Sequence, residues 1–121
     1  MIEKDEEIEE RIIMEVVVDA YDKDERAMGW FYYIAEGLDF PFQAKCIEKI
    51  STSPLKVGEE VTVLDSSSVS DGWGATIFVD IKYAEDSLAV PLAQLEIIDD
   101  KPDSKTIIED WHYWIGRGYE F

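Results

Sequence analysis

Apolar residues recur along this chain with two different spacings, and the change falls near residue 40. Residues 1–10, MIEKDEEIEE, are almost wholly polar and are expected to fray. From Glu6 to about Ala20, residues Ile13, Met14, Val17, Val18 and Tyr21 stand at i, i+1, i+4, i+5 and i+8, a helical stripe. The β-branched block Val16-Val17-Val18 argues for a strand instead, and helix is the reading taken. Asp22 or Asp24 can cap a second helix, because a short carboxylate accepts from the free N–H groups of a first turn. That helix is expected over Glu25–Glu36, with Ala27, Met28, Trp30, Phe31, Ile34 and Leu38 as its apolar set. Gly37 is its expected stop, in the left-handed conformation glycine adopts freely.

Phe40-Pro41-Phe42 breaks the helical spacing, and Phe42–Ile47 alternates with period two, as a strand does. SPLKVGEEV (53–61) reads as loop and tight turn into a strand Glu60–Leu64, and DSSSVSDGWG (65–74) as loop. Strands are expected at Thr76–Tyr83 and Leu88–Pro91 around a turn at Ala84–Asp86. A helical turn follows at 92–95, then a strand Glu96–Ile98. DDKPDS (99–104) reads as a linker, and Thr106 as the cap of a final helix from Ile107 to about Gly116, with Trp111, Trp114 and Ile115 on one side. Short strands in this order predict an α+β fold: a small SH3-like antiparallel β-barrel flanked by N-terminal helices and a C-terminal helix. The length, 121 residues, suits one domain.

Composition narrows the chemistry. Hydrophobic residues are 46% of the chain, enough for a core, so wholesale disorder is excluded. The formal net charge is −17, and residues 1–25 carry nearly half of it, with eleven acids against three bases. Such a chain has too few Lys and Arg to hold nucleic-acid phosphates or an anionic membrane surface. Its charge leaves cations, basic proteins or water as partners. Cys46 is the only cysteine, which excludes a disulfide framework and a thiolate zinc site and suits a buried thiol. The N-terminus lacks the basic region and apolar stretch of a signal peptide, and no apolar run approaches the roughly 20 residues of a membrane span. A cytoplasmic monomer is expected.

Catalytic chemistry finds little support. His112, the only histidine, lies between Trp111 and Tyr113 and reads as a packed residue rather than a general base. No nucleophile stands with an identifiable base, and GWG at Gly72–Gly74 lacks the spacing and lysine of a phosphate loop. The chain is therefore read as a non-enzyme. One His and one Cys are too few for a transition metal, whereas hard cations such as calcium take about six to eight oxygens. The segment from Asp19 through Glu25 fails the EF-hand pattern: from Asp22, Ala27 falls at the turn glycine and Tyr33 at the bidentate glutamate. Candidate ligands are Asp19, Asp22, Asp24 and Glu25 between the first two helices, and Glu36 and Asp39 flanking Gly37, where carbonyls at a helix end are free. Asp65, Asp71 and Asp80 form a weaker set, and Asp99, Asp100 and Asp103 a third.

DAYDKDERAMGWFYY (19–33), FPF (40–42), SPLKVGEEV (53–61), LAVPLAQLE (88–96) and DWHYW (110–114) together resemble the small acidic prokaryotic calcium-binding proteins of the CcbP type. The resemblance covers about residues 12–121 in the same order. It implies cytosolic calcium binding without EF-hands, through acidic surface sites, and in cyanobacteria a buffering role linked to heterocyst differentiation. Asp39, just before FPF, is the position it matches first. The charge suits a cation, and the resemblance implies that the ion is Ca2+, held by a buffer or sensor. The alternative is an acidic SH3-like interaction module that docks a basic protein partner through the aromatic clusters 30–33 and 111–114. An acidic mimic of nucleic acid is a third reading.

Overall fold

The computed structural model describes residues 3–18, 20, 22–51, 53–70 and 76–117; Asp19, Tyr21 and Asp71 lie outside them. Helix α1 spans Glu6–Glu15, so residues 6–10 are ordered rather than frayed. The reason is a cap: the Asp5 carboxylate accepts from the N–H groups of Glu7 (3.0 Å) and Ile8 (3.2 Å). Glu6, Glu7 and Glu9 in the first turn add charge of the sign that a helix start favours. The Asp5 N–H also donates to the Tyr113 hydroxyl at 2.8 Å, and that hydroxyl donates to Glu9 at 3.0 Å. The helix buries Ile12 and ends sooner than its sequence pattern suggests, at the valine block. Ile13 and Met14, read as part of a core stripe, instead point outward, 57% and 64% exposed.

Helix α2 spans Lys23–Gly37 and is capped by Asp22, whose Oδ1 accepts from the Glu25 N–H at 2.8 Å. Ala27, Trp30, Ile34 and Leu38 are buried as expected; Met28 is exposed. Gly37 is not a left-handed stop. It is the last helical residue, and Leu38 leaves the helix in an extended conformation (φ −73°, ψ 136°). Its small size serves packing instead, because a β-carbon there would overlap Cδ1 of Ile107.

Five strands follow: β1 Phe42–Cys46, β2 Glu60–Ser70, β3 Thr76–Tyr83, β4 Asp86–Pro91 and β5 Leu95–Ile97. They form one antiparallel sheet in the order β4-β3-β2-β1-β5. The expected barrel is not closed: β4 and β5 are the two edges, joined by a 3-10 turn at Leu92–Gln94 with no ladder between them. Strand β2 also continues through Asp65–Ser70, where the serine run suggests loop. Serine is a weak strand former, but β3 pairs with this stretch as far as Ser70, and two register shifts, at Val63/Asp65 and Ser66/Ser68, absorb the mismatch.

Helix α3 spans Pro102–Gly116 and starts five residues before the expected Ile107. Pro102 suits a first turn, where an N–H has no helical partner. Thr106 is therefore inside the helix, its hydroxyl donating back to the Pro102 carbonyl at 3.1 Å rather than capping. Helix α2 packs on β2, and α3 on β5 and the 3-10 turn. Trp30 and Trp111, both fully buried, meet edge to face at 5.1 Å between them. The aromatic clusters thus face inward in the main, and only Tyr32 of them is mostly exposed. Cys46 is buried, as its context suggests.

Candidate metal centre

Helix α2 decides how the proposed ligands are distributed. Asp22, Asp24 and Glu25 lie at its start; Glu36 and Asp39 lie at or just past its end. Fourteen rises of about 1.5 Å separate Lys23 from Gly37, roughly 21 Å, so the two groups cannot share an ion. The start is also the wrong end for a cation, because the unpaired N–H groups there carry partial positive charge. Asp22 is occupied as the cap. Asp19 lies outside the described residues.

The other end carries the opposite partial charge, and the chain there turns toward the start of α3. The Asp39 N–H donates to Oγ of buried Ser104 at 2.9 Å, which fixes the turn against α3. The Asp39 carboxylate remains 74% exposed. Asp100 and Asp103, from the third candidate set, line the same concavity of about 390 Å3 with Asp39. Lys101 reaches into this corner. Its Nζ donates to the carbonyl oxygens of Asp39 (3.0 Å) and Pro41 (2.8 Å) and stands 3.4 Å from Asp39 Oδ2. Two carbonyls and one carboxylate therefore converge on a single positive charge. That donor set fits a hard cation, whose ligands are oxygens of these two kinds. Lys101 and Ser104 were not among the expected site residues; a lysine just before a helix-starting Pro is the only local sign of them.

The remaining candidates are placed elsewhere. Asp99 is engaged, its Oδ2 accepting from the Gln43 N–H at 2.8 Å. Asp65 and Asp80 are directly opposite each other on β2 and β3, a like-charge pair across the ladder. Glu36 is exposed and does not line the Asp39 corner. Among the described residues, no three acidic, histidine or cysteine side chains converge in a ready-made cage.

A larger hollow of about 430 Å3, bordered by Ile47, Glu48, Ala93, His112 and Ile115, lies away from this corner. His112 is mostly buried there, and burial pushes its pKa below the ordinary histidine value, partly offset by the backbone at Leu92 and Leu95. The Cys46 thiol donates to the Glu48 carbonyl at 3.2 Å. A second, smaller hollow brings His112 beside Glu96 and Glu109, whose charges act against burial by raising its pKa. Among the described residues, no helix is long and apolar enough to cross a membrane.

The family model described as calcium binding, that of the CcbP family, matches residues 10–115. The chain belongs to the CcbP family. Its fold is that of the crystal structure of Anabaena CcbP, at 37% identity and a TM-score of 0.82, covering 99% of this chain and 98% of that one. A second solved relative, a calcium binding protein in the calcium-binding form, is 35% identical with a TM-score of 0.74, covering 98% of this chain and 96% of that one. No curated protein sequence matches significantly. The family match supports Ca2+ as the ion, and nothing in it indicates catalysis. It identifies the ion but not the ligands, and only the corner geometry above bears on those.

Proposed function

We propose that this CcbP-family chain is a monomeric cytosolic calcium buffer, one 121-residue unit that holds its ion at the α2–α3 corner. The observation that carries this reading is the convergence of the Asp39 carboxylate and the Asp39 and Pro41 carbonyls on one cation position. Water completes the shell, with Asp100 and Asp103 adding negative field from across the concavity. Buffering is favoured over sensing because the helix pair beside the site is locked. The edge-to-face contact of Trp30 and Trp111, and the shared contact of α1 and α2 with Asp110, leave little room for a helix-opening movement. Exposed carboxylates give modest affinity that salt weakens. Magnesium binds less well, since it keeps its water and demands near-octahedral geometry.

The test is calorimetric titration of chelator-treated protein with calcium, with magnesium alongside, at about 0.15 M ionic strength. Saturable heat at low stoichiometry, lost in Asp39→Asn and unchanged in Asp22→Asn, supports the corner site. Equal, featureless heat for both ions would reduce the binding to a counterion cloud.

A second reading, docking of a basic protein, draws on α1 rather than on the aromatic clusters. Its outward face presents Ile13 and Met14 beside Glu6, Glu9 and Glu10, with Lys4 at one side, an apolar patch whose rim carries a net negative charge. The net charge of −17 disfavours a second copy as occupant and suits a Lys/Arg-rich amphipathic helix. A model peptide of that kind should bind in the presence of chelator and be released by Met14→Glu; equal binding to both forms would remove this reading.

A further inference from the structure

Lys101 occupies a position that its own helix does not explain. It stands immediately before α3, where the unpaired N–H groups disfavour a positive charge and where Ser, Thr, Asp or Asn would cap. It makes no cap; its side chain leaves the helix and crosses to the α2 corner. Lysine side chains normally keep their charged end in water. Lys105 follows that habit at 66% exposure, whereas Lys101 is only 28% exposed. Its ammonium is committed to two carbonyls and faces one carboxylate, all within the three-residue stretch Asp39–Pro41.

We infer that Lys101 is a tethered counter-cation that calcium must displace, and that this exchange sets the affinity of the site. The inference rests on the corner site proposed above. A calcium ion drawing on the same oxygens at about 2.3–2.6 Å leaves no room for an ammonium at 2.8–3.0 Å from them, and the two positive charges repel. Two consequences follow from the geometry. In the calcium-free protein, Lys101 holds the carbonyls of Asp39 and Pro41 turned toward a common point, so the site is organised before the ion arrives. On binding, the ammonium leaves for water or for the neighbouring carboxylates Asp100 and Asp103, and the backbone need move little. The affinity is then lower than the oxygen set alone would give, which suits an ion that must be released again.

The experiment compares calcium affinity in wild type, Lys101→Met and Lys101→Arg, with Asp39→Asn marking the heat that belongs to this corner. Methionine keeps the length and apolar stem but removes the charge; arginine keeps the charge. Roughly tenfold tighter binding is expected for Lys101→Met, about what loss of one competing charge-assisted contact produces, with Lys101→Arg near wild type. Because Lys101→Met could loosen the Asp39–Pro41 turn, the wild-type protein is also followed by 15N NMR of the lysine side chains. The Lys101 ammonium resonance should be protected from exchange without calcium and lose that protection as calcium saturates. If wild-type binding depends on Asp39 while Lys101→Met binds no tighter and the ammonium signal is unmoved by calcium, the inference is overturned and the corner site stands. If wild-type calcium heat is unaffected by Asp39→Asn, the corner site falls and this inference falls with it.

Discussion

Arg11 and Asp110, 99 residues apart in the chain, form a two-point ion pair in which the carboxylate is wholly buried and the guanidinium is one-third exposed. The Arg11 Nε donates to Asp110 Oδ2 at 2.9 Å, a second guanidinium nitrogen donates to Oδ1, and the Tyr33 hydroxyl donates to Oδ2 at 2.8 Å. One carboxylate on α3 thereby holds both α1 and α2. Burial first, and then the hydrogen bond to Asp110, raise the Tyr33 pKa above its ordinary value, so its hydroxyl stays a donor. The hydrogen bond to Asp110 likewise raises that of Arg11.

Removing Arg11 leaves a buried carboxylate that keeps, among the described residues, the Tyr33 hydroxyl as a hydrogen-bond donor but loses its paired charge. Arg11→Ala should cost about 3 kcal/mol, the low end for a broken buried pair because one partner is partly in water. The double variant Arg11→Met/Asp110→Leu should recover most of that loss, since apolar replacement of both partners removes the charge that needs compensation. Urea unfolding of the three proteins measures both. Equal destabilisation of the single and double variants would mean that the pair itself, not the orphaned charge, carries the energy.

Gly29 gives a second test. A β-carbon there would overlap the backbone carbonyl oxygen of Val16, where the chain leaving α1 crosses α2. By helix propensity alone Gly29→Ala should stabilise by about 1 kcal/mol. The overlap is with backbone, which cannot rotate away, so the sign reverses and a loss of about 1–3 kcal/mol is expected. Gly37→Ala meets only the flexible end of Ile107 and should cost less. Thermal melts of the two variants check the order.

Such contacts explain what could be read in the sequence and what could not. The Asp22 cap and the strand Thr76–Tyr83 are set by neighbours within a few residues, and the structure has them where the pattern puts them. The extension of β2 through its serines depends on a partner strand, and the early start of α3 on docking that local propensity does not report. The succession of short strands along the chain suggests a closed barrel, but closure needs β4 and β5 to meet, and no local pattern encodes that. Asp39 was legible as a carboxylate beside a helix end. Lys101, 62 residues away, carries no signal of the contact it makes. Ile13 and Met14 were misread because a short helix with apolar residues on two sides does not declare which side is covered.

Stability should also fall with mild acid through His112. Burial pushes its pKa in the folded protein below 6.5, whereas the unfolded chain titrates near 6.5. Between those two values the unfolded state binds the extra proton, so unfolding is favoured as pH falls; above about 6.5 the group contributes no slope. Denaturant midpoints should therefore drop from pH 7 toward pH 5.5, before most carboxylates titrate near 4. His112→Asn, compared with itself across the same range, should lose that slope. An unchanged slope in the variant would assign the acid sensitivity to other groups.

The like-charge pair on the sheet makes the last case. Asp65 and Asp80 are opposite each other where β2 is already irregular, and the Asp65 Oδ1 accepts from the Ser66 N–H at 2.8 Å. Facing carboxylates at such a position cost about 0.2–1 kcal/mol, and the chain's overall charge adds to the repulsion. Asp80→Asn should therefore raise the melting temperature of chelator-treated protein by a few degrees at most. Two controls separate local from general effects. At about 1 M salt the Debye length shrinks to roughly 3 Å, and the gain should largely vanish. Asp86→Asn removes the same charge from the start of β4, opposite Tyr83, and should give a smaller gain. Equal gains from both variants would show that the repulsion is spread over the whole surface and that the Asp65–Asp80 pairing has no separate cost.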